Sequence, residues 1–287
     1  MKEKKAVSFV HLAACALVAA GFAGGAQAQG GPAQILLDGK VVGNLGGFFL
    51  DTDVKARLNG ESTNNPDIDF DKTFGKGSDN TRIRGDVLWR ITPTHHLRFL
   101  YFDNSVTRKR VIDEDIAFGD DVFHAGGEVK AKTSLKIGEL AYEYAFIRQP
   151  TFELAGSFGV HWVDTSLRLS GDATVTDSNG NSTEVSGVTK TGSVSAPLPV
   201  LGIRAGWVVA PQIYLDAQGQ YFQAKINGID GHLTDLRAGA TWMFSQNFGV
   251  GIGYNRFTAH MKTDKDNFDG RLRVGYSGFQ AFLTGAF

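Results

Sequence analysis

The chain has almost no cysteine. Cys15 is the only one among 287 residues, and it lies in an apolar N-terminal run. If that run is removed on export, the mature protein has no thiol, which excludes disulfides, cysteine metal sites and cysteine nucleophiles. An exported protein of this length must then be held together by other means.

The chain also lacks an excess of charge of one sign. Its 29 basic and 30 acidic residues give a formal net charge of −1, which provides no electrostatic basis for binding nucleic acid. Beyond the N-terminal region, no stretch approaches the roughly 18 consecutive apolar residues that a membrane helix requires. If the mature chain spans a bilayer, it must do so as a closed barrel.

The N-terminus has the features of an export signal. Three lysines precede the apolar run, and a small-residue stretch ends in Ala-Gln-Ala at residues 26–28. This order predicts a secretory signal peptide, residues 1–28, that is cleaved after Ala28. A single membrane helix and lipidation at Cys15 are weaker alternatives, because glycines interrupt the run and no polar linker follows the cysteine.

Apolar and polar residues alternate with period two along the rest of the chain. Between Phe152 and Trp162, the apolar residues fall on one face and small or polar residues on the other. A membrane strand that faces lipid outside and a polar lumen inside requires this pattern. A soluble β-sandwich would show it too, but a ten-residue stretch extends about 33 Å, enough to cross a membrane when tilted.

The predicted connections alternate between short and long. Tight-turn signals that are separated by longer polar segments lie at residues 92–95, 148–150, 210–212 and 245–247. We therefore predict an all-β fold, a transmembrane antiparallel up-and-down β-barrel of about ten strands, with eight or twelve as alternatives. Short turns face the periplasm in such barrels, which places both termini there.

The barrel is predicted to occupy residues 45–287, and residues 29–44 are predicted to form a periplasmic tail or a lid over the lumen. The predicted strands are residues 45–58, 81–92, 95–106, 133–148, 151–169, 193–209, 212–226, 233–244, 247–257 and 270–287.

Aromatic residues near the strand ends predict two interfacial girdles. Those near the tight turns are Trp89, Phe146, Phe152, Trp207, Phe244 and Phe248, and those toward the longer loops are Tyr101, Trp162, Tyr221 and Tyr254. The chain ends in Phe287, which resembles the signal by which barrel-assembly machinery recognises outer-membrane proteins. We expect a monomer whose partners are that machinery, outer-membrane lipid and lipopolysaccharide.

Four segments carry a resemblance to a known family. They are DEDIAFGDDVF at residues 113–123, LAYEY at 140–144, PLPVLG at 197–202 and GVGIGYNRF at 249–257. They resemble a family of proteobacterial outer-membrane β-barrel proteins, small barrels of the OmpA/OmpW-like type. The resemblance extends from about Asp79 to Phe287. It implies the barrel fold and the outer-membrane location, and it brings no catalytic or binding residues.

The strand faces that are predicted to line the lumen are highly charged. They carry Asp51, Asp53, Lys55, Arg57, Arg82, Arg84, Asp86, Arg90, Arg98, Glu143, Glu153, His161, Arg204, Asp216, Asp235 and Arg237. An eight-stranded barrel is filled by its own side chains and a wide channel needs about sixteen strands, so ten strands leave at most a narrow passage. Because buried charges need partners, we expect these residues to pair and largely plug the lumen.

A structural or surface role is therefore the predicted function, without enzymatic activity, cofactor or metal. A narrow porin-like channel for small polar solutes is the first alternative, and an outer-membrane hydrolase or adhesin is the second. His161, Asp164 and Ser166 form the only local His, Asp and Ser grouping. On an unbroken strand, however, His161 and Asp164 point to opposite faces. The basic run at residues 108–110 could contact lipopolysaccharide phosphates, or pair with the acidic residues that follow it.

Overall fold

The fold is given by a computed structural model. It describes residues 30–59, 68–69, 73, 81–113, 115–118, 121–176, 182–226, 229–265 and 268–287. The predicted signal peptide, residues 1–28, lies outside the described residues. No helix in the described part of the chain is long and apolar enough to cross a membrane.

Ten long antiparallel strands form the wall. They are β1 (Val41–Asn59), β2 (Thr81–Arg90), β3 (His95–Val111), β4 (Glu128–Gln149), β5 (Phe152–Thr176), β6 (Ser182–Ala210), β7 (Ile213–Ile226), β8 (Ile229–Met243), β9 (Phe248–Lys265) and β10 (Phe268–Ala286). Each strand pairs with the next along the chain, and β1 pairs with β10, so the sheet closes on itself. The prediction of an all-β, ten-stranded up-and-down barrel is confirmed.

Several strands extend further than predicted at the end of the barrel away from the termini. The pairing of β5 with β6 extends from Phe152 and Trp207 to Thr176 and Ser182, with a shift of register between Gly171 and Ala173, whereas β5 was expected to end at residue 169. The apolar alternation reports only the part of a strand that meets lipid. Backbone pairing continues beyond that part, and the sequence pattern does not mark where it stops.

The first strand begins earlier than predicted. β1 starts at Val41 rather than at residue 45, because Val41 exchanges two backbone hydrogen bonds with Phe287, each 2.9 Å long. The C-terminal residue thereby closes the barrel seam at the end that carries both termini.

The outward face of the wall is apolar over the part that is long enough to cross the membrane. On β2, Ile83 and Trp89 are 73% and 40% exposed, whereas Arg84, Asp86 and Arg90 on the opposite face are buried in the interior. The same alternation holds around the barrel. A continuous exposed apolar surface of this kind is what a bilayer covers in an outer-membrane barrel.

The interior has three layers along the barrel axis. At the end near the termini, a 3-10 turn (Pro32–Gln34) and the short helix α1 (Ile35–Asp38), together called the basal helix, pack inside the wall. This basal layer is apolar and contains Ala33, Leu36, Leu37, Val42, Leu88, Val208, Tyr214, Met243 and Ala286. A charged layer follows. Above it lies an upper apolar layer of Phe48, Leu100, Phe102, Leu135, Ile137, Val163, Leu198, Val200, Leu233, Phe257, Ala259, Val274 and Tyr276.

A small hairpin lies against the inner face of the extended strands. Its two short strands, Ile116–Phe118 and Asp121–Phe123, pair with each other, and Val122 pairs with Thr174 of β5. The hairpin buries Ile112, Ile116 and Phe123 against the inward residues of β4 and β5. This apolar contact holds the hairpin against the inner side of the two strands.

Candidate functional site

Glu143 on β4 is at the centre of the charged layer. Its Oε1 accepts a 2.7 Å hydrogen bond from Nε of Arg98, and its Oε2 accepts one of 2.7 Å from Nε of Arg204. All three side chains are buried. Two charge-assisted hydrogen bonds compensate the carboxylate for the water it has lost, and they hold the two guanidinium groups on opposite sides of it.

The network continues from Arg204 toward the basal helix. Nη2 of Arg204 donates a 2.6 Å hydrogen bond to Oε1 of Glu153, and Nη2 of Arg90 lies 4.0 Å from the same oxygen. Arg90 also donates to the backbone oxygens of Gly39 and Leu36, at 2.8 and 2.7 Å. The charged layer thereby holds the C-terminal end of the basal helix, where a cation is favourable.

A second carboxylate, Asp86 on β2, joins the other side of the lumen to the network. Its Oδ1 accepts a 3.2 Å hydrogen bond from Nη1 of Arg237, and its Oδ2 accepts one of 2.9 Å from Asn44. Nη1 of Arg98 lies 3.8 Å from Oδ2, and Nε of Arg237 lies 3.7 Å from Oδ2 of Asp216. Strands on opposite sides of the barrel are thus tied together across the lumen.

His161 on β5 belongs to a smaller buried group. Its Nε2 lies 2.9 Å from Oε1 of Gln220, and Nε2 of Gln220 donates to Oε1 of Glu139 at 2.7 Å. The imidazole is buried and stacks on Phe257, with ring centroids 6.1 Å apart. Asp164 is exposed on the other face of β5. The structure therefore does not bring His161 and Asp164 together, and the local His, Asp and Ser grouping does not form a site.

Most of the residues predicted to line the lumen lie inside the barrel. Those whose side chains are buried are Arg84, Asp86, Arg90, Arg98, Glu143, Glu153, His161, Arg204 and Asp235, and those that are partly buried and face inward are Arg82, Asp216 and Arg237. Asp53, Lys55 and Arg57 lie on β1, but their side chains lie outside the described residues.

The inward prediction for Asp51 is wrong. Asp51 is exposed and pairs with Ser277, on the same outward face as Leu45 and Phe49. The phase of β1 is set by Phe48, whose ring packs inside the barrel. Adjacent phenylalanines and several glycines leave no clear alternation in β1, so the sequence could not decide which face was inward.

Several lumen residues that contribute to the network were absent from the predicted set, among them Glu139, Gln220 and Asn255. Glu139 has the same strand parity as Glu143, so the period-two rule applied along all of β4 would have found it. Gln220 and Asn255 carry no charge and gave no such signal. Asn255 accepts a 2.7 Å hydrogen bond from Arg84 and donates one of 2.5 Å to Asp235.

The charged layer contains a small cavity. A cavity of about 20 Å³ lies between Asn44, Arg84, Asp86, Asp216 and Arg237. That is room for about one water molecule, which these polar groups could hold. Within the described part of the chain, no group of three or more His, Cys, Asp or Glu residues is arranged to hold a metal ion.

The predicted girdle residues lie on the outside of the wall. Tyr101 and Trp162 are 57% and 55% exposed and occupy one cross-strand row with Gly138. The other exposed girdle residues are Trp89, Phe146, Tyr221, Phe244, Phe248 and Tyr254, and the half-buried ones are Phe152 and Trp207. The indole N–H of Trp162 donates to Oγ of Ser195 at 3.0 Å, so its apolar ring faces lipid while its polar edge is satisfied.

The basic run at residues 108–110 pairs partly with acidic neighbours. Nζ of Lys109 lies 2.6 Å from Oε1 of Glu128, and Arg110 lies 3.9 Å from Asp113.

The nearby loop is held by Asp115, which accepts a 2.8 Å hydrogen bond from the backbone N–H of Ala125. That bond, with the neighbouring His124, lowers the pKa of the Asp115 carboxyl from its usual value.

Among the solved structures that align with this chain are bacterial outer-membrane proteins. The outer membrane protease OmpT from Escherichia coli aligns with a TM-score of 0.54 and 12% identity, over 86% of this chain and 96% of that chain. The toluene transporter TodX from Pseudomonas putida aligns with a TM-score of 0.38 and 8% identity, over 90% and 93%. Ail, the attachment invasion locus protein of Yersinia pestis, gives 0.29 and 7%, over 84% and 98%.

No protein-family model and no curated protein sequence matches the chain. The alignment with OmpT shows the fold, an outer-membrane β-barrel, and at this identity it shows nothing about activity.

Proposed function

We propose that this chain is a non-conducting outer-membrane barrel with a structural and surface role. The main support is that buried inward side chains lie at three successive levels of the lumen. The basal layer, the charged layer and the upper apolar layer each contain buried side chains from several strands around the barrel. A barrel of about this size has little room to spare once its inward side chains are placed.

The charged layer resists opening for a physical reason. Its carboxylates and guanidinium groups bond to one another across the lumen, as Glu143 does with Arg98 and Arg204. A solute that passed would have to separate these ions in a buried site, and an unpaired buried charge costs several kcal/mol. The arrangement supports a plug more than it supports a pathway.

The outer ends of four strands offer a surface on which a function could lie. A membrane strand needs about 9–11 residues, whereas β4, β5 and β6 have 22, 25 and 29 residues. The parts of β3 to β6 beyond Tyr101 and Trp162, here called the platform, therefore extend past the membrane. An extended sheet of this kind supports a role in surface contact.

The narrow channel and the hydrolase are less favoured alternatives. A channel would need the ion pairs of the charged layer to separate. A hydrolase would need a reactive group that its substrate can reach, and His161 is buried between Gln220 and Phe257.

Planar-bilayer recording of the refolded protein tests the proposal. We expect no steady unitary conductance from wild type when heat-modifiable migration on gels confirms a folded barrel. A matched variant with Phe48→Ala, Phe102→Ala and Tyr276→Ala, which empties the upper apolar layer, should also be silent because the charged layer remains. Steady wild-type conductance whose ion preference changes in Arg84→Ala would contradict the proposal and support the channel.

A further inference from the structure

The outer face of the platform carries a group of exposed cations. They lie on three neighbouring strands, with one on β3, three on β4 and one on β5. This group, here called the basic patch, consists of Lys109, Lys130, Lys132, Lys136 and Arg168. All five belong to the outward face, because they alternate with inward residues such as Val129, Ala131, Leu167 and Leu169, which are buried.

Within the basic patch, like charges face each other directly across strands. Lys109 is the cross-strand partner of Lys130, and Lys132 is the cross-strand partner of Arg168. Like charges in this position destabilise a sheet. The arrangement therefore does not stabilise the fold, and an anion that lies between the cations would make it favourable.

The acidic groups on the same face neutralise only part of the patch. Glu128 pairs with Lys109 at 2.6 Å, and Asp103 lies 4.0 Å from Lys136, whose cross-strand neighbour is Asp164.

Asp172, the next carboxylate along β5, accepts a hydrogen bond from the backbone N–H of Gly187. Among the described residues, no carboxylate lies within 4.0 Å of the charged nitrogens of Lys130, Lys132 or Arg168. These three cations are the uncompensated centre of the patch.

Hydroxyl groups surround that centre. Nε of Arg168 donates a 3.2 Å hydrogen bond to Oγ1 of Thr191, and Oγ of Ser170 lies 3.0 Å from Oγ1 of Thr189. Thr107, Ser134, Ser166 and Ser193 occupy the same outward face. Guanidinium and ammonium groups bind phosphate, and neighbouring hydroxyls can donate to and accept from sugar hydroxyls. The surface suits a phosphorylated sugar.

The height of the patch selects among anionic membrane components. Arg168 lies six residues beyond Trp162 along β5, which is about 20 Å of strand and about 15 Å above the girdle after tilting. The polar region of a phospholipid bilayer adds only about 5–8 Å on each side of the hydrocarbon. A phospholipid headgroup would therefore lie below Arg168, whereas the sugars of lipopolysaccharide reach that height.

We infer that the basic patch binds phosphate groups on the core sugars of lipopolysaccharide in the surrounding outer leaflet. This inference rests on the proposed surface role of the platform. Lys132 and Arg168 hold one phosphate between β4 and β5, and Lys130 contributes a third positive charge beside it. The anion relieves the repulsion between the facing cations, and the hydroxyl groups contact the adjoining sugar.

The test is the affinity of the refolded full barrel for two purified lipopolysaccharides. One carries a phosphorylated heptose core, and the other lacks the heptoses but keeps the lipid A phosphates. The variant Lys132→Gln with Arg168→Gln removes two cations from the patch. Its matched control, Arg256→Gln with Arg273→Gln, removes two exposed cations from β9 and β10 on another part of the wall. Heat-modifiable migration confirms that each variant is folded.

We expect wild type to prefer the phosphorylated core by about tenfold or more, since charge-assisted hydrogen bonds contribute to binding at this level. The patch variant should lose that preference, and the control variant should keep it. Equal affinity of wild type for the two lipopolysaccharides, or equal loss in both variants, would overturn the inference. Tighter binding of a soluble sulfated polysaccharide than of either lipopolysaccharide would overturn it in favour of an external glycan. Conductance is measured separately, so failure here is distinguishable from failure of the proposed function.

Discussion

The charges inside the barrel and the charges of the basic patch are compensated in opposite ways. In the lumen, Glu143 is fully buried and lies between two arginines that donate to it at 2.7 Å. On the platform, Lys132 and Arg168 are exposed and face each other across two strands. The same strands, β4 and β5, contribute to both regions.

The difference separates the charges that stabilise the fold from the charges that are available to bind a ligand. A buried charge without a partner would prevent folding, so the lumen has to satisfy itself. An exposed like-charge pair costs little in water, so it can be kept for a ligand. The paired charges inside the barrel and the unpaired cations of the basic patch thus follow from whether each strand face is buried or meets solvent.

The largest predicted effect concerns the lumen. Glu143→Gln removes the negative charge between Arg98 and Arg204, and we expect the free energy of unfolding to fall by about 3–5 kcal/mol because buried cations lose their counterion. Urea unfolding of the refolded barrel, followed by tryptophan fluorescence, measures this.

Glu128→Gln is the matched control for that change. It breaks an ion pair in which the side chains of Lys109 and Glu128 are 60% and 56% exposed. We therefore expect the free energy of unfolding to fall by less than about 1 kcal/mol. Similar losses in the two variants would show that burial does not separate the lumen from the platform.

A smaller effect is predicted for an inward glycine. A Cβ at Gly251 on β9 would overlap the ring of Phe282 on β10. Gly251→Ala should therefore force the ring to move and destabilise the barrel by about 1–3 kcal/mol. The control is Gly138→Ala, because Gly138 faces outward and a Cβ there meets nothing within 4 Å. The two variants are compared by the temperature at which half of the protein loses its heat-modifiable migration on gels. Equal midpoints would indicate that the interior is loosely packed.

The smallest effect is predicted for the basic patch in the absence of its ligand. In detergent without lipopolysaccharide, Lys132→Gln should raise the free energy of unfolding by about 0.2–1 kcal/mol, because it removes repulsion from Arg168. With phosphorylated lipopolysaccharide present, the same substitution should lower it. The same sign in both conditions would contradict the idea that the patch is kept for an anion.

The orientation of side chains could be predicted from the sequence on strands whose inward face is polar and whose outward face is apolar. On β2, Arg84, Asp86 and Arg90 alternate cleanly with apolar residues, and the structure places these side chains inside. On β1, adjacent Phe48 and Phe49 hide the phase, which is why Asp51 was assigned to the wrong face. Local patterning predicts orientation only where the two faces differ in polarity.

Contacts across the lumen could not be predicted in this way. The bond between Arg204 on β6 and Glu143 on β4 depends on the tilt and stagger of the closed sheet, which no local pattern encodes. The basal helix is a similar case. Residues 29–44 were expected to form a tail or a lid, and the packing of Leu36 and Leu37 inside the wall depends on the surrounding strands.

The proposed closure of the lumen by its own paired charges can be tested by the accessibility of an introduced thiol. Ser157 points into the lumen from β5 and is buried, whereas Ser193 lies on the exposed face of the platform. In a protein that lacks Cys15, Ser157→Cys and Ser193→Cys are treated with a small charged thiol reagent. We predict rapid labelling at position 193, and labelling at position 157 only after heat unfolding. Equal labelling rates in the folded barrel would show that the lumen is open, because water and small ions would then reach its middle.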